Sequence, residues 1–394
     1  MIRITVILPK QLYTYDMFVK HIFLQFLQLS YRSFCKPLFF LCSPERVHVT
    51  VVACGEQMGK KKVITNSLTP LFTIKNNMLE QDVLGMHFSN SIGMSAGFDY
   101  EARLTQLLPA LGFGFETVGT ITNLSYKGNP RPMLGRLPKS KSLMVNKGFK
   151  NLGAKQTIRR LEKSEFHIPL GVSIGRSNNK RCNTVSSSIE DVIKAFSLFE
   201  TSSVRHSYYE LNISCPNLFG EVSFYPPKNL RELLTEIDKL HIKRPIFMKM
   251  PIERPDSEVR RMLDVIAQHS PKGVIFGNLQ KNRRNKSFDR NELAKFPMGN
   301  FSGKPTYERS NALIELAYAH YQERFVIIGT GGVFTAADAY EKITHGATLV
   351  QLITGLIFNG PQVVAQINEG LIDLLKRDGF THVSQAIGKN VKTS

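Results

Sequence analysis

The sequence predicts an α/β protein, a (β/α)8 barrel with a small N-terminal helical extension, and three observations lead there. Beyond Asp82, eight short apolar or β-rich runs succeed one another: SIGMSAGF (91–98), FETVGTIT (115–122), LGVSIG (170–175), YYELNIS (208–214), PIFMKM (245–250), GVIFGN (273–278), FVIIGTGG (325–332) and LVQLITG (349–355). Between most of them stand segments with helical apolar spacing, such as EARLTQLLPALG (101–112), NLRELLTEIDKL (229–240) and AADAYEKITHGA (336–347). Polar residues or glycines stand at or just beyond the ends of all eight strands, and a barrel gathers the carboxyl ends of its strands around one site. The span of roughly 280 residues suits a TIM barrel, whose usual size is about 250.

Composition sets the outer bounds. A chain of 394 residues with 42% hydrophobic content and no low-complexity tract can bury a large core, which excludes a disordered or fibrous protein. Its five cysteines, Cys35, Cys42, Cys54, Cys182 and Cys215, form no C-x-x-C pair and no metal-ligand spacing. Reduced thiols and no metal site are expected. The formal charge of +19 calls for an anionic partner, and nucleic acid, anionic lipid and phosphorylated cofactors all qualify. The basic clusters GKKK (59–62) and KNRRNK (281–286) have no interleaved aromatics, so they read as solvated surface and no nucleic-acid partner is expected.

The first 80 residues read differently from 81–394, the barrel portion. From Tyr13 to Leu41 apolar residues recur at helical spacing, interrupted by Lys20, His21, Arg32 and Lys36. No uninterrupted apolar run reaches the ~18–20 residues of a spanning helix. The segment is therefore expected to lie on a membrane as a peripheral element, or to pack as an amphipathic helix on the barrel. No small-residue cleavage site follows a single apolar block, which argues against a secretory signal, while an organelle-targeting role for the first dozen residues stays open.

At the strand ends the residues point to chemistry. IIGTGGV places Gly331 and Gly332 after the seventh run, and QLITG places Thr354 and Gly355 after the eighth. Barrels commonly hold a phosphate between these two loops, where glycines let backbone N–H groups approach an anion. Lys249 stands inside FMKM, and a buried ammonium there requires an anionic or hydrogen-bonding partner. YYELNISCPN (208–217) delivers two asparagines and the Cys215 thiol to one edge.

These motifs together resemble the dihydroorotate dehydrogenase family over roughly residues 40 to 375. The residues carrying the resemblance are SAGFD (95–99), GTIT (119–122), GNPRP (128–132), NKGFKNLG (146–153), NISCPN (212–217), the lysine of FMKM, SGKP (302–305), IIGTGG and LVQLITGLIFNGP (349–361). LFFLCSPERVH (38–48) resembles the helix-loop-helix of the membrane-associated, quinone-reducing (class 2) type. The resemblance implies oxidation of (S)-dihydroorotate to orotate in de novo pyrimidine biosynthesis, with FMN as hydride acceptor and a membrane quinone as final acceptor. It implies Cys215 as the catalytic base, and Asn146, Lys147, Gly148, Phe149, Asn212, Asn217, Asn278 and Tyr100 around the substrate. Ala96, Gly97, Thr120, Ser173, Asn212, Lys249, Gly277, Gly303, Gly331, Gly332, Ile353, Thr354 and Gly355 would hold FMN. The place implied is the cytoplasmic face of a bacterial inner membrane, with the mitochondrial inner membrane as alternative.

Several positions depart from the family pattern. Cys215 stands where the quinone-reducing class carries serine, and Tyr100 where the family has a lysine that meets the substrate carboxylate. Leu218, Leu279 and Gly277 replace threonines, and Ser173 replaces an asparagine. Loss of a charge-assisted contact weakens the hold on an acidic substrate. Two other readings stay open at this point: an FMN-binding paralogue with altered substrate or lost activity, and a dihydrouridine synthase acting on tRNA.

Overall fold

The computed structural model describes residues 15–220 and 222–392. Each predicted run contains one strand: β1 (Ile92–Met94), β2 (Phe115–Ile121), β3 (Leu170–Ile174), β4 (Tyr208–Asn212), β5 (Ile246–Met250), β6 (Gly273–Phe276), β7 (Val326–Thr330) and β8 (Leu349–Leu352). All pair in parallel, in the order β6-β7-β8-β1-β2-β3-β4-β5, and β5 pairs back to β6 to close a TIM barrel. Every residue of β2, β3, β4, β5, β6 and β8 is buried, because interior side chains cover one face and helices the other.

Alternation along β4 shows how the site is built. Tyr208, Glu210 and Asn212 share the barrel-facing side of the strand, whereas Tyr209 turns outward to lie 4.9 Å from the Phe196 ring. The layer nearest the strand starts is filled by aromatic rings facing glycines. A Cβ on Gly171 would lie 2.2 Å from the Tyr208 ring, and one on Gly93 would lie 2.4 Å from the Phe115 ring. A hairpin absent from the predicted runs, Gln81–Val83 with Met86–Phe88, packs Val83 and Phe88 onto Phe115, Tyr208, Phe247 and Leu349. It closes the amino end of the barrel, leaving the carboxyl end for the site.

Two further departures from the expected pattern shape that end. An antiparallel sheet of Leu134–Leu137, Ser142–Val145 and Asn300–Gly303 stands beside the mouth. The segment EARLTQLLPALG forms turns and a 3-10 helix at Pro109–Leu111, where a helix was expected. Proline cannot donate to a helical ladder, and the apolar residues of the segment are used elsewhere. A Cβ on Gly55 would lie 2.6 Å from Leu104 and 3.1 Å from Leu107, so a helix of the extension packs where the missing helix would stand.

That extension begins with α1 (Tyr15–Ser30), which continues through a π-helical turn at Tyr31–Cys35 into α2 (Lys36–Leu41), followed by α3 (Pro44–Gly59) and α4 (Lys62–Phe72). Leu24 is fully buried, the Tyr31 hydroxyl donates to Ile357 O at 2.8 Å, and Arg32 donates to Asn359 Oδ1 at 2.9 Å. One edge of the extension therefore docks on the barrel. Its other side stays apolar and open: of the 17 exposed large hydrophobic residues among those described, 13 lie between Phe18 and Leu71. No helix among the described residues is long and apolar enough to cross a membrane. The targeting role left open for the first dozen residues falls outside the described residues.

Beneath the mouth, Glu116 of β2 is fully buried, and neither of its oxygens has a donor among the described residues. Burial, then the nearby Asp99 carboxyl, pushes Glu116 well above the ordinary 4.5. Asp99 accepts the N–H groups of Arg103 and Leu104, so Glu116 is the member that holds a proton. A raised carboxyl pKa means that the fold keeps a proton the unfolded chain releases, so this stability is present at acid pH and lost as pH rises. Glu116→Gln should therefore gain stability over the wild type at pH 8 and little at pH 5. Melting curves at both values check this, and equal effects at the two pH values exclude it.

Candidate active site

The carboxyl ends of the strands surround two joined cavities. The larger, about 500 Å³, is bounded by Cys215, Asn212, Asn217 and Lys249 toward the barrel and by Tyr31, Phe39, Phe40, Val47 and Val51 toward the extension. The smaller, about 90 Å³, lies against Gly303, Thr330, Gly331, Gly332, Thr354 and Gly355. Ala96, Lys249, Asn278, Leu279, Ser302 and Ile353 line both, so the two are one continuous space.

Lys249 is the pivot. Its ammonium lies 3.3 Å from Ser95 Oγ and 3.4 Å from Glu210 Oε1, with both partners of the ion pair almost fully buried. Glu210 is the partner that the sequence reading required without naming. Ser173 Oγ donates to Glu210 at 2.7 Å and lies 2.9 Å from Thr120 Oγ1, which accepts from Asn212 Nδ2 at 2.9 Å. Ser173 itself lines neither cavity; it braces Glu210 and Thr120 from behind.

The asparagines are held by one another and by neighbouring backbone. Asn217 donates to Val145 O at 3.1 Å and accepts from Asn300 at 2.7 Å, while Asn278 donates to Ser214 Oγ. Asn146 stands outside the cavity walls and accepts from Asn129 at 3.0 Å; Asn129 also donates to Asn217 O at 2.9 Å. Lys147, Gly148 and Phe149 reach the large cavity directly, the last two with φ of 63° and 61°. Gly277 has φ 123°, and a Cβ there would sit 1.9 Å from Thr330 O, so this backbone admits no threonine at that position.

Cys215 is half-buried in the loop after β4, and burial pushes its thiol up to about 11 against the opposing influence of the Asn217 N–H and of Arg176. Tyr100 occupies the cavity wall with the Lys147 ammonium 4.2 Å above its ring and Lys150 at 5.8 Å. Cationic charge is thus present beside Tyr100 although position 100 carries none. The His48 ring of α3 stacks on Tyr100 at 5.3 Å, and its Nε2 lies 2.9 Å from Phe98 O.

A family model for dihydroorotate dehydrogenase matches residues 78–375. The chain belongs to the dihydroorotate dehydrogenase family. Among its relatives is the dihydroorotate dehydrogenase (quinone) of Trichodesmium erythraeum, 32% identical over 376 residues, which covers 91% of this chain and 98% of the relative. That of Nostoc sp. PCC 7120 is 34% identical over 382 residues, covering 92% and 99%. The crystal structure of DHODH from Eimeria tenella in complex with ferulenol superposes with a TM-score of 0.76 at 26% identity, covering 88% of this chain and 95% of that one. The family's members are oxidoreductases acting on dihydroorotate in pyrimidine biosynthesis, and the relatives are of the quinone type. The match decides for this family over the tRNA dihydrouridine synthases.

Sequence reasoning missed Glu210, Ser95, Asn129, Asn300, His48 and Arg136 as parts of the site. Ser95, Asn129, His48 and Glu210 all stood inside recognised motifs; the further signal for Glu210 was its place two residues before Asn212 on the same strand face. Because Lys249 and Glu210 share a buried site, Lys249→Met should cost roughly 3–5 kcal/mol by stranding the carboxylate. Adding Glu210→Gln should restore most of that loss. Urea unfolding of the two variants checks this, and equal losses in both would show that the charges are not coupled.

Proposed function

We propose that the chain oxidises (S)-dihydroorotate to orotate with FMN as hydride acceptor and hands the electrons to a membrane quinone. The observation that carries this reading is the continuous cavity joining a glycine cradle, the Lys249 ammonium, a ring of asparagines and the Cys215 thiol. The residues fit a flavin mononucleotide. Among the described residues the N–H groups of Gly331 and Gly332 have no protein acceptor, as a phosphate site requires. Thr354, Gly355 and Gly303 would complete that end, and Ala96, Gly97, Thr120, Lys249 and Ile353 would hold the ring. Bound there, FMN supplies a two-electron acceptor for the hydride that leaves C6 of dihydroorotate.

The protein supplies the rest. Asn212, Asn217 and Asn278 offer amides, each both donor and acceptor, to the ring amides of a cyclic ureide. Their orientations are set in advance by Thr120, Val145, Asn300 and Ser214. Cys215 takes the C5 proton as thiolate, a strong base once formed because its environment disfavours the charge. Lys249 brings a positive charge beside the ring-binding residues, neutralised below by Glu210. Lys147 over Tyr100 brings a cation beside position 100, which supports an acidic substrate there although Leu218 and Leu279 still depart from the family pattern.

The electron acceptor is read from the outer half of the cavity. Residues 1–80 serve as the docking and access unit: Tyr31, Phe39, Phe40, Val47 and Val51 give an apolar channel, and the open face of α1 and α2 lies on the lipid. Arg136, with its guanidinium 4.7 Å from the Phe40 ring and donating to Cys42 O at 2.7 Å, puts one polar group in that channel.

Two outcomes follow. Orotate formation in a single turnover should slow by ~10²–10⁴-fold in Cys215→Ala, with Cys215→Ser retaining more. Because the thiol is held near 11, the wild-type rate should climb with pH between 7 and 9.5 and the alanine variant should lose this slope. A flat wild-type profile together with a fully active alanine variant would remove Cys215 from the chemistry. Replacing Phe26, Leu29 and Leu38, all exposed, with glutamine should lower partitioning onto anionic vesicles at least about tenfold. Sedimentation with vesicles measures it, and unchanged binding would sink the docking role of this face.

A further inference from the structure

A third cavity, of about 330 Å³, lies between α3 and the loops after β1 and β2, and it is unlike the apolar channel beside it. Four cations line it, Arg46, Arg131, Lys147 and Lys150, against one carboxylate, Glu45. That carboxylate is already committed: Oε1 accepts the N–H groups of Met133 at 2.9 Å and Leu134 at 3.2 Å, and Oε2 accepts from Ser43 Oγ at 2.8 Å. None of the four cations makes an ion pair among the described residues. A concave surface with this excess of unpaired positive charge favours a small anion.

Its position says which anion. His48, Tyr100, Leu134, Lys147 and Lys150 line both this cavity and the large one that holds Cys215, so these side chains are the wall between them. The alternative way into the large cavity runs between Phe39, Phe40, Val47 and Val51, where a carboxylate loses its water with nothing in exchange. Lys147 sits on the wall itself, its ammonium resting on the Tyr100 ring, an arrangement that holds a cation in place without neutralising it.

We propose that the basic cavity is the port for the substrate carboxylate, and that Lys147, seated on Tyr100, is the cation that receives the carboxylate where the port meets the active-site cavity. The two reactants then use separate doors, the acid through the basic port and the quinone through the apolar channel. The proposal rests on the dihydroorotate reading above. Lys147 is half-buried, and burial followed by the charge of Lys150 lowers it to about 7. The groups facing it are Lys150 on its own loop, Glu45 and His48 on α3, and Tyr100 and Glu101 after β1. An incoming carboxylate stabilises the protonated form, so binding is strongest below pH 7 and weakens as pH rises through it.

The test uses the full-length holoenzyme and orotate, with affinity followed by titration calorimetry and association by rapid mixing. Lys147→Met should weaken orotate at least about tenfold, while Lys147→Arg should bind it well and lose the decline in affinity between pH 6 and 8.5. Arg46→Gln with Arg131→Gln should slow association severalfold at low ionic strength, a difference that vanishes in high salt. Wild-type affinity and rate in all these variants would overturn the port while leaving the dihydroorotate reading intact. Failure of orotate to bind the wild type would overturn that reading instead. Inorganic phosphate displacing orotate at similar concentration would overturn the assignment to a carboxylate.

Discussion

A lysine and a glutamate, Lys249 and Glu210, face each other across adjacent strands inside the barrel, and the rest of the site is arranged to make that affordable. Their separation of 3.4 Å is loose for an ion pair, and both are out of water. Such a pair gains little net stability, because desolvation offsets most of the Coulomb attraction. What it does is fix position. Glu210 orients Ser173, Ser173 meets Thr120, and Thr120 receives Asn212, so a chain of hydrogen bonds runs from the barrel interior to the wall of the large cavity. A purely apolar layer would pack as well and would leave Asn212 and Lys249 free to turn.

Above this layer the site divides by polarity. The apolar face of the extension roofs one side of the mouth, and the loops after β2, joined by Arg46 of α3, wall the other with cations. The division is consistent with a protein whose two reactants differ in solubility, one an acid in water and the other dissolved in lipid. It also bears on a feature that looks contradictory in the sequence, a cysteine at position 215 alongside an extension that resembles the quinone-reducing type. Cys215 stands on the barrel side of the large cavity and the extension on its outer side, so neither constrains the other.

Much of this was legible in the sequence because barrel strands are buried on both faces. They appear as short apolar runs, and a polar residue in one of them, such as Lys249, is conspicuous. Glu210 was less so: in YYELN the inward positions are Tyr208, Glu210 and Asn212, strand pairing sets Asn212 beside Lys249, and only the folded side chains show that the Lys249 ammonium meets Glu210. The segment 101–112 misled for a related reason. Its apolar spacing is real, but Leu104 and Leu107 meet Gly55 of α3 through turns, so the periodicity reports burial and not a helix. The hairpin at 81–88 and the sheet beside the mouth escaped notice because their short strands are partly exposed, so they make no continuous apolar run and too few alternations to register.

Tyr100 shows best why a single position cannot be judged alone. Read along the chain, it is a lost positive charge. In the structure its ring is a platform with an ammonium 4.2 Å above it and the His48 imidazole stacked at 5.3 Å. A lysine at position 100 would bring a third ammonium toward Lys147 and Lys150 and would remove the ring on which Lys147 rests. Tyrosine there also ties the active-site wall to α3, since His48 belongs to the extension. The residue that departs from the family pattern is therefore the one through which the helices of the extension touch the wall of the large cavity, and it trades a charge of its own for control of the position of a neighbour's.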